Sequence, residues 1–174
     1  PAPGTTDATE ASWIDETLAQ MSLEERVGQL FVPRIYGTTA TTSDPAAVTK
    51  NRAEFGADNA VALVQRYHVG GLIYFSANVT TPRALADFGN AVQQAAAAGT
   101  PAIPVMTSMD QEQGSVVRVG PPATMFPGSM ALGASRSITD AWTAARITGV
   151  ELRAMGVYQD FAPVADVNVN PANP

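Results

Sequence analysis

Apolar residues come in short blocks, and polar or Gly/Pro-rich stretches separate them. Four blocks read as strands: Leu30-Phe-Val-Pro-Arg-Ile35, Leu72-Ile-Tyr-Phe75, Ile103 to Met106, and Tyr158 to Val164. Short apolar runs bounded by turn residues are the pattern of buried strands. Pro33 weakens the first, since proline has no N–H to give to a ladder. Between the strands the period changes to that of helices. Ser12 and Asp15 have capping-box spacing and open a helix through Met21; Ser22 and Glu25 repeat the device, with Leu23, Val27 and Leu30 along one face. Residues 37–50 lack periodicity and read as a long loop. A helix over Asp58 to His68 ends at Gly70-Gly71. Thr81 as N-cap and Pro82 at the first helical position open the clearest helix. Leu85, Phe88, Val92 and Ala95 or Ala96 face one way, and Gly99 closes it. Ser137 and Asp140 open a last helix to about Met155, with Trp142, Ala145, Val150 and Leu152 on its apolar side.

The order strand, helix, strand, helix, strand, helix, strand argues for an α/β fold with a parallel sheet and right-handed crossovers. A (β/α)8 barrel and a doubly wound sheet both gather ligand groups at the C-terminal ends of such strands. The glycine signature of dinucleotide binding is absent after every strand.

One stretch carries candidate chemistry: Met106-Thr-Ser-Met-Asp110-Gln-Glu-Gln-Gly114-Ser-Val-Val-Arg118. The apolar run delivers a carboxylate, three further polar side chains and a guanidinium to one strand end. Acids, amides and arginine together suit a polyhydroxylated ligand, whose hydroxyls each need a donor and an acceptor. A turn stapled by a structural Asp–Arg ion pair fits the spacing equally well.

Composition narrows the classes. The 174 residues are 45% hydrophobic and 15% charged, as in a globular domain, and the net charge of −6 is no nucleic-acid footprint. No apolar run approaches the roughly 20 residues of a membrane span. With no cysteine and one histidine, disulfides and thiolate or histidine-rich metal sites are excluded within the chain. That histidine, His68, reads as a packing or helix C-terminal residue. Residues 1–11 read as a flexible lead-in and the start as a mature end, from which a secreted bacterial protein is expected.

Five motifs together resemble glycoside hydrolase family 3: Met21-Ser-Leu-Glu-Glu-Arg-Val-Gly-Gln-Leu30, Gly70-Gly-Leu-Ile-Tyr-Phe75, Met109-Asp-Gln-Glu112 with Gly114 and Arg118, Phe126-Pro-Gly-Ser-Met-Ala-Leu-Gly-Ala134, and Phe161-Ala-Pro-Val-Ala-Asp-Val167. They lie in family order over residues 12–174. The Asp-Gln-Glu-x-Gly form is similar to the β-N-acetylglucosaminidase branch. The resemblance implies the first half of a (β/α)8 TIM barrel, with about four parallel strands. It implies a retaining, two-step hydrolysis through a glycosyl-enzyme, acting on N-acetylglucosamine in cell-wall or chitin-type oligosaccharides without a cofactor. Asp110 matches a residue that bonds sugar hydroxyls in the −1 subsite, and Arg118 a second sugar contact. Asp166, beyond the fourth strand, is a third candidate. Glu112 is expected to support the loop.

The family's nucleophile and its histidine acid/base have no match in this chain, so no catalytic residue is expected here. The expected partners are a carbohydrate substrate and the C-terminal half of the same barrel, which would supply the remaining strands. A non-catalytic carbohydrate-binding or regulatory half, and a β-glucosidase or β-xylosidase of the same family, are the alternatives. Two positions depart from the family: Gln113 stands where glycine is common, and Ser115 where arginine is common.

Overall fold

The computed structural model describes residues 8–165 and Asn170. Among the described residues, seven α-helices and three strands follow in order: α1 Ala8–Gln20, α2 Leu23–Gly28, α3 Pro45–Phe55, α4 Ala60–Tyr67, β1 Gly71–Tyr74, α5 Pro82–Ala97, β2 Met106–Met109, α6 Ser129–Ala134, α7 Ile138–Ala154 and β3 Gln159–Asp160. The sheet is parallel in the order β1-β2-β3, with Gly71 opposite Met106, Tyr74 opposite Met109, and Met109 opposite Asp160. The first predicted strand extends it on the β1 side. Arg34 bridges Ile73, and the carbonyls of Phe31 and Pro33 accept from the N–H groups of Gly71 and Ile73. Pro33 therefore serves as an acceptor only, and a single bridge replaces the expected six-residue strand. Sequential strands lie side by side, as they do around a barrel wall.

The face is set by the two-residue period of a strand. Leu72, Tyr74 and Met109 are fully buried and pack in one core with Leu85, Phe88 and Val92 of α5. Tyr74 and Phe88 meet edge to face at 5.1 Å. The α5 helix starts as expected, with the Thr81 hydroxyl accepting the Ala84 N–H.

Several expectations are corrected. The α1 helix begins at Ala8, so residues 8–11 are helical and Ser12 lies inside the helix, its hydroxyl donating to Glu16. The Ser22–Glu25 capping box forms, yet Leu23, Val27 and Leu30 are exposed, Leu30 by 81%. The supposed loop at 37–50 contains the start of α3. Asp44 caps it through the Ala47 N–H and Pro45 occupies its first turn. The third strand lies three residues later than its apolar run. Its buried middle is polar: Thr107 donates to Gly156 O and Ser108 to Leu72 O. The fourth strand keeps two of its seven residues. On α7 the buried stripe is Ala144, Thr148 and Leu152, while Trp142, Ala145 and Val150 face solvent. Among the described residues, no helix is long and apolar enough to cross a membrane.

Candidate sugar-binding site

Three consecutive strand ends place the site. Phe75 follows β1, Asp110 follows β2, and Asp160 ends β3. The chain leaves β2 at Asp110 and returns at Arg118, whose Nη2 donates to Asp110 Oδ2 at 2.7 Å. The guanidinium carbon lies 5.2 Å from the centroid of the Phe75 ring, within cation–π range. The two ion-paired side chains are about one-fifth exposed, 20% for Asp110 and 22% for Arg118. Buried Arg118 Nε has no hydrogen-bond partner among the described residues. The structure thus joins two of the three residues expected to bind ligand. Asp166 lies outside the described residues.

The neighbouring loop is held by amides. Gln111 is only 3% exposed. Its Oε1 accepts the N–H groups of Arg118 at 2.8 Å and Val119 at 3.0 Å, and its Nε2 donates to Val119 O. The Gln111 N–H donates to Asp160 Oδ1 at 2.8 Å. Burial pushes the Asp160 carboxyl above its ordinary range, the Gln111 N–H opposes this, and the nearby Asp110 and Glu112 charges add to the rise. Just after β1's exit, buried Asn78 accepts the Phe75 N–H and donates to the carbonyls of Ile35 and Gly37. It fixes the aromatic platform under Arg118 to the neighbouring strand exit.

Gln113 has φ +66°, a left-handed value that side chains resist. Its amide compensates: Nε2 donates to Thr148 Oγ1 on α7, and Oε1 accepts the Phe126 N–H. Gln113, Gln111, Asp160, Leu132, Ala144 and Thr148 help to line a largely apolar cavity of about 700 Å³ beside the ion pair. The sequence alone points to Gln111 as one of the amides at this strand end, but not to Asn78, Phe75 or Asp160. Of these, only Asp160 left a signal, a carboxylate two residues after the apolar pair Val157-Tyr158, and extending that strand to Val164 hid it.

Histidine 68 is at the opposite end of the sheet. It caps α4 in a left-handed conformation, φ 50° and ψ 42°, with Nε2 3.8 Å from Glu25 Oε1. Among the described residues, no group of three or more His, Cys, Asp or Glu side chains is placed to hold a metal.

The ion pair offers carboxylate oxygens as acceptors and guanidinium N–H groups as donors, side by side at the rim of a parallel sheet. That pairing suits adjacent hydroxyls. The chain is 38% identical over 116 residues to beta-hexosaminidase A of Pseudoalteromonas piscicida, covering 64% of this chain and 19% of that protein. It is 30% identical to the beta-N-acetylglucosaminidase/beta-glucosidase of Cellulomonas fimi over 99% of its own length and 26% of the relative. Among solved structures, a family 3 beta-N-acetylglucosaminidase from a Paenibacillus strain superposes with TM-score 0.75 at 38% identity, over 88% of this chain and 26% of that one. This chain therefore spans about a fifth to a quarter of these relatives. The family profile described as "Glycosyl hydrolase family 3 N terminal domain" matches residues 22–174. With that match covering most of its length and a parallel sheet like that of its structural neighbours, the chain belongs to glycosyl hydrolase family 3.

Proposed function

We propose that this chain supplies part of the −1 sugar subsite of a retaining glycosidase that releases terminal β-linked N-acetylglucosamine from cell-wall or chitin-type oligosaccharides. The single observation that carries the reading is the Asp110–Arg118 pair, 2.7 Å apart and partly exposed at the C-terminal end of β2. Asp110 accepts from the hydroxyls of the sugar ring, and Arg118 donates to them while its plane is steadied on Phe75. Two charged contacts orient the ring so that its anomeric carbon meets a nucleophile. The nucleophile and the acid/base come from the part of the barrel outside this chain. They form a glycosyl-enzyme and pass it to water. The names of the hexosaminidase relatives support the sugar, and the strand-end geometry supports the roles.

The test is hydrolysis of chromogenic N-acetyl-β-glucosaminide, β-glucoside and β-xyloside by the full-length protein. Product stereochemistry is followed by NMR. Preference for the first substrate with a β-configured first product is the expected result. Preference for the glucoside or xyloside would reassign the sugar, and binding without turnover would make the protein a carbohydrate-binding module.

A further inference from the structure

The ion pair is eight residues long in sequence, yet nothing in Asp110 or Arg118 alone determines that the chain must return. The return is made by Gln111. Its buried amide spends all three of its bonds on the backbone of residues 118 and 119, and so closes the loop from 111 to 119. Gln111 is in turn held by its own N–H, which donates to Asp160 on the neighbouring strand. The contacts run in series from the β3 end, through the Gln111 backbone and amide, to the backbone of Arg118.

We propose that Gln111 and Asp160 are positioning residues for Arg118. Asp160 sets where the chain leaves β2, and Gln111 sets where Arg118 comes back to meet Asp110. Neither needs to touch the sugar. This rests on the sugar-subsite reading above, and it assigns the placement of the guanidinium to two groups outside that pair. Amide geometry explains why glutamine serves: its oxygen has two lone pairs for the two N–H groups, and its NH2 donates to the carbonyl. Glutamate would offer the acceptor but no donor, and would bury a charge.

A double-mutant cycle in the full-length enzyme separates positioning from general support, because groups acting through a shared partner are not additive. The readout is kcat/KM on chromogenic N-acetyl-β-glucosaminide, with the melting temperature recorded for every variant. Displacing a contact by about 1 Å costs on the order of 100-fold. Gln111→Ala should thus lower kcat/KM by roughly 30-fold or more in the parent, yet by less than about 3-fold when Arg118→Ala is already present. Asp160→Ala should behave alike but more weakly, and Asp160→Asn, which keeps an acceptor for the Gln111 N–H, should recover most of that loss. If Gln111→Ala does not fold, the Asp160→Ala and Asp160→Asn pair carries the same cycle. Equal losses in both backgrounds, or no recovery by Asn, would overturn the proposal while the sugar-subsite reading stood. A full-length protein inactive on every glycoside would overturn both.

Discussion

The two ends of the sheet handle polar groups in opposite ways. At the N-terminal end, α2 meets the turn between α4 and β1 backbone to backbone. A Cβ on Gly28 would lie 1.9 Å from Tyr67 O, and one on Gly70 would lie 2.1 Å from Gln29 O. The Gly70 N–H donates to Gly28 O, and Gln29 Nε2 donates to His68 O at 2.6 Å. Glu25 closes the capping box and faces His68. Polar atoms here serve their own chain. At the C-terminal end, the Asp110–Arg118 pair leaves the Arg118 Nε without a partner among the described residues and stays partly open to solvent. Buried donors are normally satisfied, so an unmet one next to this partly exposed ion pair sets the C-terminal end apart. The difference teaches that charge alone does not locate a site: both ends hold a carboxylate and a cationic or titratable partner, but one is a direct 2.7 Å ion pair at a strand end and the other a 3.8 Å approach beside a capping box.

The sharpest way to break this contrast is to exchange the properties of the two ends. Gly28→Ala should produce the largest stability loss, because the new methyl meets backbone that cannot move aside. About 3 kcal/mol is expected, or a melting temperature lower by roughly 6–12 °C, with kcat/KM of the remaining folded enzyme nearly unchanged. Thermal denaturation beside an activity assay checks it. Asp110→Ala should do the reverse. It should lose roughly 100-fold or more in kcat/KM, since each charged hydrogen bond contributes about 1.5–3 kcal/mol and about 1.36 kcal/mol is tenfold in rate. Steady-state kinetics of the full-length enzyme measures this. Arg118→Lys should cost about 10-fold, because an ammonium cannot keep the planar fork over the Phe75 ring and against Asp110 together. The smallest effect is expected at the N-terminal end. The Ser22 backbone and hydroxyl hold the Glu25 carboxyl below its ordinary value of 4.5, with burial opposing and His68 adding a little. A depressed carboxylate stabilises the fold above that value and loses the contribution as pH falls through its lower, folded-state value. Glu25→Gln should therefore be slightly less stable than the parent at neutral pH, with the gap closing below about pH 4.5. Melting curves across that range would show the convergence.

The alternation of strands and helices, the Ser22–Glu25 box and the Thr81-Pro82 start were legible because each rests on local chemistry at fixed spacing. The α3 helix was not. Its buried residues are Ala47 and Asn51, so it has no apolar stripe to read, and the Asp44-Pro45 start lies inside an otherwise aperiodic stretch. Asn51 is buried for its amide, which bonds the Tyr36 N–H and the carbonyls of Tyr36 and Asp58. The shift of β2 has the same origin: Thr107 and Ser108 are buried polar residues whose partners are 49 and 36 residues away in sequence. Such bonds leave no periodic trace. On α7, Trp142 suggested the wrong face, since the residues that pack are the smaller Ala144 and Thr148. In the site, Asp110 and Arg118 could be read because a charge after a buried strand is unusual. The loop-closing role of Gln111 and the places of Asp160 and Phe75 could not, since the first two depend on the β2–β3 register and Phe75 on the meeting of β1 with β2.

Binding of N-acetylglucosamine to the full-length enzyme, measured by titration calorimetry on the parent and on Asp110→Asn, tests the central claim most directly. The substitution removes the charge and keeps the side chain's size. The account predicts an affinity weaker by at least about tenfold, as expected for a lost charged hydrogen bond. Equal affinity in the two proteins, with turnover also unchanged, would contradict it.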